Sequence, residues 1–154
     1  MGNVVVYEKD GLVTSLTPIP PFTAEDVLAK DVPAGATQAQ LMEGSLVYSV
    51  DPYFKRARKI EDGKIVVDMV KAREVHLKVI REVRDAKLVQ LDIEWMKFTG
   101  QGKKQEADAA EAKRQALRDL PQTVNLDVAT PELLKEIWPA ELPLDKKPEK
   151  LKLK

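Results

Sequence analysis

Residues 68–98 read DMVKAREVHLKVIREVRDAKLVQLDIEWMKF and contain neither glycine nor proline. Asp68 can cap the N-terminus of a helix, and Thr99-Gly-Gln-Gly102 ends the uninterrupted stretch. A stripe of mainly apolar residues recurs at steps of three and four, the period of a helix with one buried face. They are Met69, Ala72, His76, Val79, Ile80, Val83, Leu91 and Trp95. This pattern predicts one amphipathic helix from Asp68 to about Phe98, about 46 Å long at about 1.5 Å per residue.

The predicted helix has more apolar surface than one packing partner covers. Further apolar residues lie off the stripe, namely Val75, Leu77, Leu88, Val89, Ile93 and Met96. Exposed apolar patches usually mark a site where another protein binds. We therefore expect an interface on this helix and, as its result, a homo-oligomer or a hetero-complex. The residues expected to form the interface are Val79, Val83, Leu88, Leu91 and Trp95.

Two shorter helices are predicted to follow. The segment from Lys104 to about Leu120 is rich in alanine, the residue of highest helix propensity, and Pro121 is expected to end it. The short connection that contains glycine makes this helix antiparallel to the long one, as in an αα-hairpin. Thr130-Pro-Glu132 then has the composition of a helix start, which predicts a short third helix.

The first 67 residues have the mixed signals of a small α+β region. Two strand-like runs on either side of Asp10-Gly11 predict a β-hairpin. Thr23 is expected to cap a short helix from Ala24 to Lys30. Strand composition is found at Val4–Tyr7, Leu12–Leu16, Leu46–Val50 and Ile65–Val67. The predicted fold class is α+β, divided into the α+β region 1–67, the helical hairpin with its short terminal helix at 68–143, and a flexible basic tail at 144–154.

The charge balance and the lack of cysteine exclude several kinds of site. The chain of 154 residues has 25 basic and 25 acidic residues, whereas a nucleic-acid binder normally has a basic excess. Without cysteine there is no disulfide, no thiolate ligand for zinc and no thiol nucleophile. No apolar run reaches the roughly 18 residues of a membrane span, and the N-terminus lacks the features of a signal peptide. We expect a protein with no cofactor, metal or small-molecule substrate, and with no nucleic-acid or membrane partner.

No side-chain pattern indicates catalysis. His76, the only histidine, lies on the apolar stripe with Ile80 four positions on, so a core or interface histidine is favoured over a general base or metal ligand. Carboxylates of the long helix have basic residues three or four positions away, as Glu74 has Lys78. This spacing favours surface ion pairs over acid–base catalysis. We therefore expect that the protein is not an enzyme.

A basic run and two tryptophans are the remaining candidates for binding. Lys55-Arg-Ala-Arg-Lys59 follows Tyr53 and Phe54, and basic and aromatic groups together can bind nucleic acid. Because the run is short and the chain is neutral, a charged edge or a contact to an acidic partner protein is favoured. Trp138 is expected to pack its short helix onto the hairpin, whereas Trp95 suits either the core or an interface.

Several phrases resemble small proteins encoded beside the tail-fibre genes of tailed bacteriophages and prophages. The phrases are Lys71-Ala-Arg-Glu-Val-His76, Ala86-Lys-Leu-Val-Gln-Leu-Asp-Ile-Glu-Trp-Met96, Lys113-Arg-Gln-Ala-Leu-Arg-Asp-Leu-Pro121 and Thr130-Pro-Glu-Leu-Leu-Lys-Glu-Ile-Trp-Pro139, with Ala29-Lys-Asp-Val-Pro-Ala-Gly35 and Phe54-Lys-Arg-Ala57 before them. The resemblance covers most of the chain in patches. It implies a phage setting and carries no catalytic residues.

The resemblance implies a structural protein of the virion tail or tail-fibre apparatus, made in the host cytoplasm. As an adaptor, such a protein would use its long helix to bind other tail or tail-fibre proteins. The alternative is a tail-fibre assembly chaperone that is absent from the mature virion. A third class, an enzyme that acts on cell-wall glycans or nucleic acid, is supported by no motif.

Overall fold

The structure, a computed structural model, describes residues 2–149. In chain order its elements are β1 (Asn3–Lys9), β2 (Leu12–Leu16), α1 (Ala24–Lys30), β3 (Thr37–Glu43), α2 (Gly44–Val47), a 3-10 helix (Pro52–Ala57), β4 (Arg58–Glu61), β5 (Lys64–Val67), α3 (Met69–Gly100), α4 (Lys104–Thr123), α5 (Pro131–Glu136) and a second 3-10 helix (Leu144–Lys146). This arrangement confirms the predicted α+β class. The chain divides into two compact units, Met1–Val75 and His76–Lys154, and α3 begins in the first and continues in the second.

β1 is the central strand of a three-stranded antiparallel sheet with the order β2-β1-β3. The predicted hairpin is confirmed, because Lys9 pairs with Leu12 across a turn of Asp10 and Gly11. Both turn residues have positive φ, 51° and 74°. Two such residues form the type I′ turn, whose twist matches that of the paired strands. β4 and β5 form a second, two-stranded antiparallel sheet.

The core of the first unit is built on β1. Val4, Val5 and Val6 are at most 2% exposed, and alternate side chains of a strand point to opposite faces, so both faces of β1 are covered. Val4 and Val6 belong to a cluster with Val13, Met42, Val47, Ile60 and Ile65. α1 contacts β1 and β3. Its capping box between Thr23 and Asp26 confirms the predicted helix start.

The strand predicted at Leu46–Val50 is wrong. The strand lies earlier, at Thr37–Glu43, and the chain then turns into the short helix α2. The β-branched side chain of Val47 favours a strand by local propensity. In α2 this side chain is 1% exposed in the core of the first unit, so tertiary burial outweighs the local preference. The strand predicted at Ile65–Val67 is confirmed as part of β5.

α3 confirms the long helix predicted from the sequence. The Asp68 side chain caps its start, since Oδ1 accepts a hydrogen bond from the Val70 N–H at 3.0 Å. The helix runs to Gly100, two residues beyond Phe98, because no proline or positive-φ residue intervenes before Gly102. Gly102 has φ of +66° and lies in the short connection to α4.

The prediction that Pro121 ends α4 at about Leu120 is wrong by three residues, because the helix continues to Thr123. Proline removes the hydrogen bond that its own N–H would have donated to the Leu117 carbonyl. The last turn is closed instead by the Val124 N–H, which donates to the Leu120 carbonyl at 2.9 Å. A proline in the last turn therefore costs one hydrogen bond without ending the helix.

The core of the second unit joins the two long helices to the C-terminal segment. Its buried members are Ile80, Leu91, Leu117, Leu120 and Leu142, and the partly buried Val83, Leu88, Val124, Leu126 and Trp138 pack against them. Trp138 thus packs onto the hairpin as predicted. It follows α5, whose start at Thr130 confirms the predicted cap.

Of the predicted flexible basic tail, which begins at residue 144, the structure describes residues 144–149. Leu144–Lys146 form a 3-10 helix, and the Lys147 Nζ lies 3.2 Å from Glu136 Oε2. Just before this segment, Trp138 Nε1 donates to the Pro143 carbonyl at 3.0 Å. Residues 150–154 of the predicted tail lie outside the described residues.

Candidate interaction surface

An exposed apolar strip lies on α3. Val89, Ile93 and Met96 expose 59%, 59% and 57% of their surface. Because they are spaced four and three positions apart, they lie on one side of the helix within about two turns. We call these three residues the α3 strip. An apolar surface of this kind on a helix that already packs by another face is the usual mark of a binding site for a further protein.

Charged residues border the N-terminal end of the strip. Asp85 lies one turn before Val89 on the same side of the helix and forms an ion pair with Arg84 at 2.7 Å. Glu82, a further turn away, lies 3.9 Å from Lys78. Both carboxylates are largely exposed. The strip therefore has an apolar centre with a polar border, the usual composition of a transient protein interface.

The structure places the residues of the predicted interface mainly inside the chain. Leu91 is 3% exposed in the core of the second unit, and Val83 and Leu88 pack against that core. Val79 and Trp95 are half-buried. The α3 strip consists instead of residues that the sequence pattern places off the main stripe. No local sequence signal separates them from the buried apolar residues, because which side of α3 is covered depends on how the rest of the second unit packs against it.

Arg114 of α4 joins the two helices of the hairpin. Its Nε donates to Asp92 Oδ1 of α3 at 2.6 Å, and its guanidinium carbon lies 4.8 Å from the centre of the Trp95 ring. Its Nη1 also donates to Glu111 of α4. A guanidinium over the face of an indole is attracted by the ring quadrupole. Trp95, which the sequence left open between core and interface, therefore serves helix packing.

Glu111 is bound by a second arginine. Arg118 Nη1 donates to its Oε1 at 2.9 Å. This hydrogen bond, together with the positive charges of Arg118 and Arg114, lowers the pKa of the Glu111 carboxyl below its ordinary value. The two arginines thus favour the charged form of this carboxylate, which contributes to the packing of the hairpin.

His76 is a core residue, as predicted. It is fully buried, and its Nε2 donates to the Ile137 carbonyl at 2.7 Å, because a carbonyl oxygen can only accept. Burial lowers the pKa of the imidazole, and the positive charges of Lys135 and Lys147 lower it further, while the bond to Ile137 raises it. His76 therefore links α3 to the segment after α5 and has no access to a substrate in solvent.

The basic run of the sequence lies in the first unit. Lys55 and Arg56 are exposed on the 3-10 helix Pro52–Ala57, whereas Phe54 is fully buried and Tyr53 is half-buried against it. Burial raises the pKa of the Tyr53 hydroxyl. The two aromatic rings of this run therefore stabilise the fold and do not form a stacking platform for bases.

Within residues 2–149, no three or more His, Cys, Asp and Glu side chains form a group that could hold a metal ion. The described helices include none that is long and apolar enough to cross a membrane. Comparison with models of protein families, with curated proteins and with solved structures finds no match to this chain. The resemblance to proteins encoded beside phage tail-fibre genes stays a prediction.

Proposed function

We propose that this protein is a non-enzymatic structural component of a bacteriophage tail or tail-fibre apparatus. It acts as an adaptor that binds another tail protein through α3. The observation that carries the proposal is the α3 strip, whose apolar side chains remain exposed although the same helix packs against α4 by another face. The phage setting rests on the resemblance of the sequence phrases.

The size of the strip indicates what kind of complex it supports. Complete burial of an aliphatic side chain contributes about 1.5–3 kcal/mol, and each strip residue has slightly more than half of its surface left to bury. The strip as a whole then contributes about 3–5 kcal/mol, which is comparable to the lower estimates of the cost of association. Stable binding therefore requires that the partner also contacts the charged border of the strip.

The same size supports a second function, that of a tail-fibre assembly chaperone. A chaperone must release its client, and a small apolar strip with a polar border is suited to reversible binding. In this case the protein binds the fibre in the host cytoplasm and leaves before the virion matures. The two functions use the same surface and differ in whether the complex persists.

Quantitative mass spectrometry of purified phage particles separates the two functions. The number of copies of this chain is compared with the number of copies of a fibre protein in the same particles. We expect a fixed, stoichiometric number for a structural component. Abundance in the infected cell together with absence from particles assigns the chaperone function. If deletion of the gene leaves both particle yield and infectivity unchanged, both proposals are wrong.

A further inference from the structure

β2 is an edge strand with backbone groups that point away from the sheet. In the order β2-β1-β3 it pairs with β1 alone. Because Lys9 and Leu12 flank a two-residue turn, Leu12, Thr14 and Leu16 direct their N–H and C=O groups toward β1. Val13 and Ser15 then direct theirs outward. An edge of this kind can accept one further strand through main-chain hydrogen bonds.

A basic groove runs along one side of this edge. It has a volume of about 510 Å³, within the range of ligand-binding clefts. We define the β2 groove by its lining residues, Leu12, Val13, Thr14, Ser15, Val47, Lys55, Arg56 and Arg58. All the ionisable side chains in this lining are basic. The Arg58 side chain is fixed by a hydrogen bond from its Nε to the Lys55 carbonyl at 3.2 Å.

A second, apolar concavity follows the same strand. It has a volume of about 490 Å³, shares Ser15 with the β2 groove, and is lined also by Leu16, Ile19, Phe22 and Val27 among others. Ile19 and Phe22 are exposed by 75% and 59%, so their apolar surface is available to a ligand. Asp31 is the one ionisable residue of this lining. The edge strand is thus accompanied by a basic surface and by an apolar surface.

We propose that an extended acidic segment of a partner protein adds to β2 as a further strand, with acidic side chains in the β2 groove and apolar ones against Ile19 and Phe22. Successive side chains of a strand point to opposite faces, so one segment with alternating acidic and apolar residues supplies both contacts. The backbone groups of Val13 and Ser15 fix its register. This surface lies in the first unit and is independent of the α3 strip.

The charge and shape of this surface favour an acidic segment over three other occupants. The C-terminal residues of this chain are rich in lysine and would repel the basic lining. A second copy that pairs through its own β2 would bring a second set of Lys55, Arg56 and Arg58 to the same edge. A nucleic acid would gain phosphate contacts from the basic side chains. Phe54 is buried, however, so it cannot stack on a base, and the apolar concavity does not bind phosphates.

The test is fluorescence anisotropy of the full chain with a labelled nonapeptide of alternating glutamate and valine. Two probes serve as controls: the same peptide with lysine in place of glutamate, and a single-stranded oligonucleotide of equal charge. We expect the acidic peptide to bind and the lysine peptide not to bind. Raising the salt from about 50 to about 300 mM should weaken binding by about tenfold, because screening shortens the range of the attraction.

Two pairs of variants test the charges and the backbone separately. Lys55→Glu/Arg56→Glu should weaken peptide binding by at least tenfold, whereas Lys97→Glu/Lys113→Glu, exposed positions with the same change of charge, should not. Ser15→Pro removes an outward N–H from an edge strand, a place that tolerates proline, and should abolish binding. Ser15→Ala keeps that N–H and should bind as the unmodified chain does.

Three results would overturn the proposal. The first is equal peptide binding by Lys55→Glu/Arg56→Glu and by its control pair. The second is tighter binding of the oligonucleotide than of the peptide, which would assign the groove to nucleic acid. The third is dimerisation in sedimentation experiments that Ser15→Pro abolishes and Ser15→Ala does not, which would assign the edge to a second copy. Circular dichroism of each variant checks that the fold is kept.

Discussion

A single buried imidazole connects the protonation of the protein to its stability. His76 is buried and neutral near pH 7, and burial lowers its pKa in the folded chain below the ordinary value of about 6.5. The unfolded chain therefore takes up the proton first as the pH falls. It follows that the contribution of His76 to stability is complete above the ordinary pKa and declines as the pH falls toward the lower, folded pKa.

We expect the free energy of unfolding to fall between pH 7.5 and pH 5 for this reason. His76→Gln, which keeps a donor toward the Ile137 carbonyl but does not titrate, should show a weaker dependence over the same range. Urea unfolding at several pH values measures both chains. Equal slopes for the two chains between pH 7.5 and pH 5 would show that the histidine is not responsible.

The pairing of α3 with α4 depends on Arg114. We expect Arg114→Lys to lower the stability by about 1–2 kcal/mol, because lysine lacks the planar fork that contacts Asp92 and stacks on Trp95 at the same time. Arg118→Lys is the control, since this side chain is 41% exposed and bonds only within α4. Its cost should stay within about 0.5 kcal/mol.

Both variants are measured by urea unfolding at neutral pH. The cost of Arg114→Lys should also shrink in a chain that carries Trp95→Leu, because the stacking contact is then already lost. A loss of stability equal for Arg114→Lys and Arg118→Lys would contradict this account of the hairpin.

Two glycines near the turn between α3 and α4 differ in backbone conformation. Gly102 has φ of +66°, whereas Gly100 lies in the last turn of α3, and an added Cβ meets no atom within 4 Å at either position. We expect Gly102→Ala to lower the stability by about 1 kcal/mol, since only the left-handed backbone is strained. Gly100→Ala should raise it by a few tenths of a kcal/mol, because alanine favours the helix.

Thermal unfolding of the two variants tests this prediction, because the melting temperature should fall for Gly102→Ala and rise for Gly100→Ala. A fall in the melting temperature for both would mean that packing at the turn, and not the backbone conformation, sets the requirement for glycine.

The sequence predicted the elements whose signals are local. The long helix follows from an uninterrupted stretch with a cap at Asp68, and the hairpin follows from Asp10-Gly11 between two β-branched runs. β3 was not predicted, because it is an exposed edge strand with Thr37, Gln38 and Gln40 in place of alternating apolar residues. Its position depends on pairing with β1, which is distant along the chain.

The sequence also predicted that α3 has excess apolar surface, but not which residues carry it. Local periodicity shows that several sides of a helix are apolar. The side that becomes buried depends on how α4 and the segment near Leu142 pack against α3. This packing is set by contacts between residues that are far apart along the chain. Val89, Ile93 and Met96 could thus be named only from the structure.

At the scale of the whole molecule, binding and folding are assigned to different side chains. The α3 strip belongs to the second unit and the β2 groove to the first. Substitutions of the strip residues, and of Lys55 and Arg56 in the groove, replace exposed side chains, so they should leave stability within about 0.5 kcal/mol of the unmodified chain. Loss of binding at the α3 strip should therefore leave binding at the β2 groove intact, and the reverse also holds. The two proposals can be tested independently.

The adaptor function makes its sharpest prediction at Ile93. Ile93→Glu places a charge in the centre of the α3 strip, and burial of an unpaired carboxylate in an interface is strongly unfavourable. Leu133→Glu is the matched control, because Leu133 is exposed to a similar extent, 53% against 59%, and lies on α5 outside the strip. Each variant is expressed from a plasmid during infection by phage that lack the gene. The particles are purified, and mass spectrometry measures the number of copies of the chain per particle. We expect the number of copies per particle to fall by at least tenfold for Ile93→Glu and to stay unchanged for Leu133→Glu.

If both variants enter particles as the unmodified chain does, the α3 strip is not the surface that joins this protein to the tail. If neither variant nor the unmodified chain is found in particles, but Ile93→Glu alone lowers infectivity, the strip is the surface by which a chaperone holds its client.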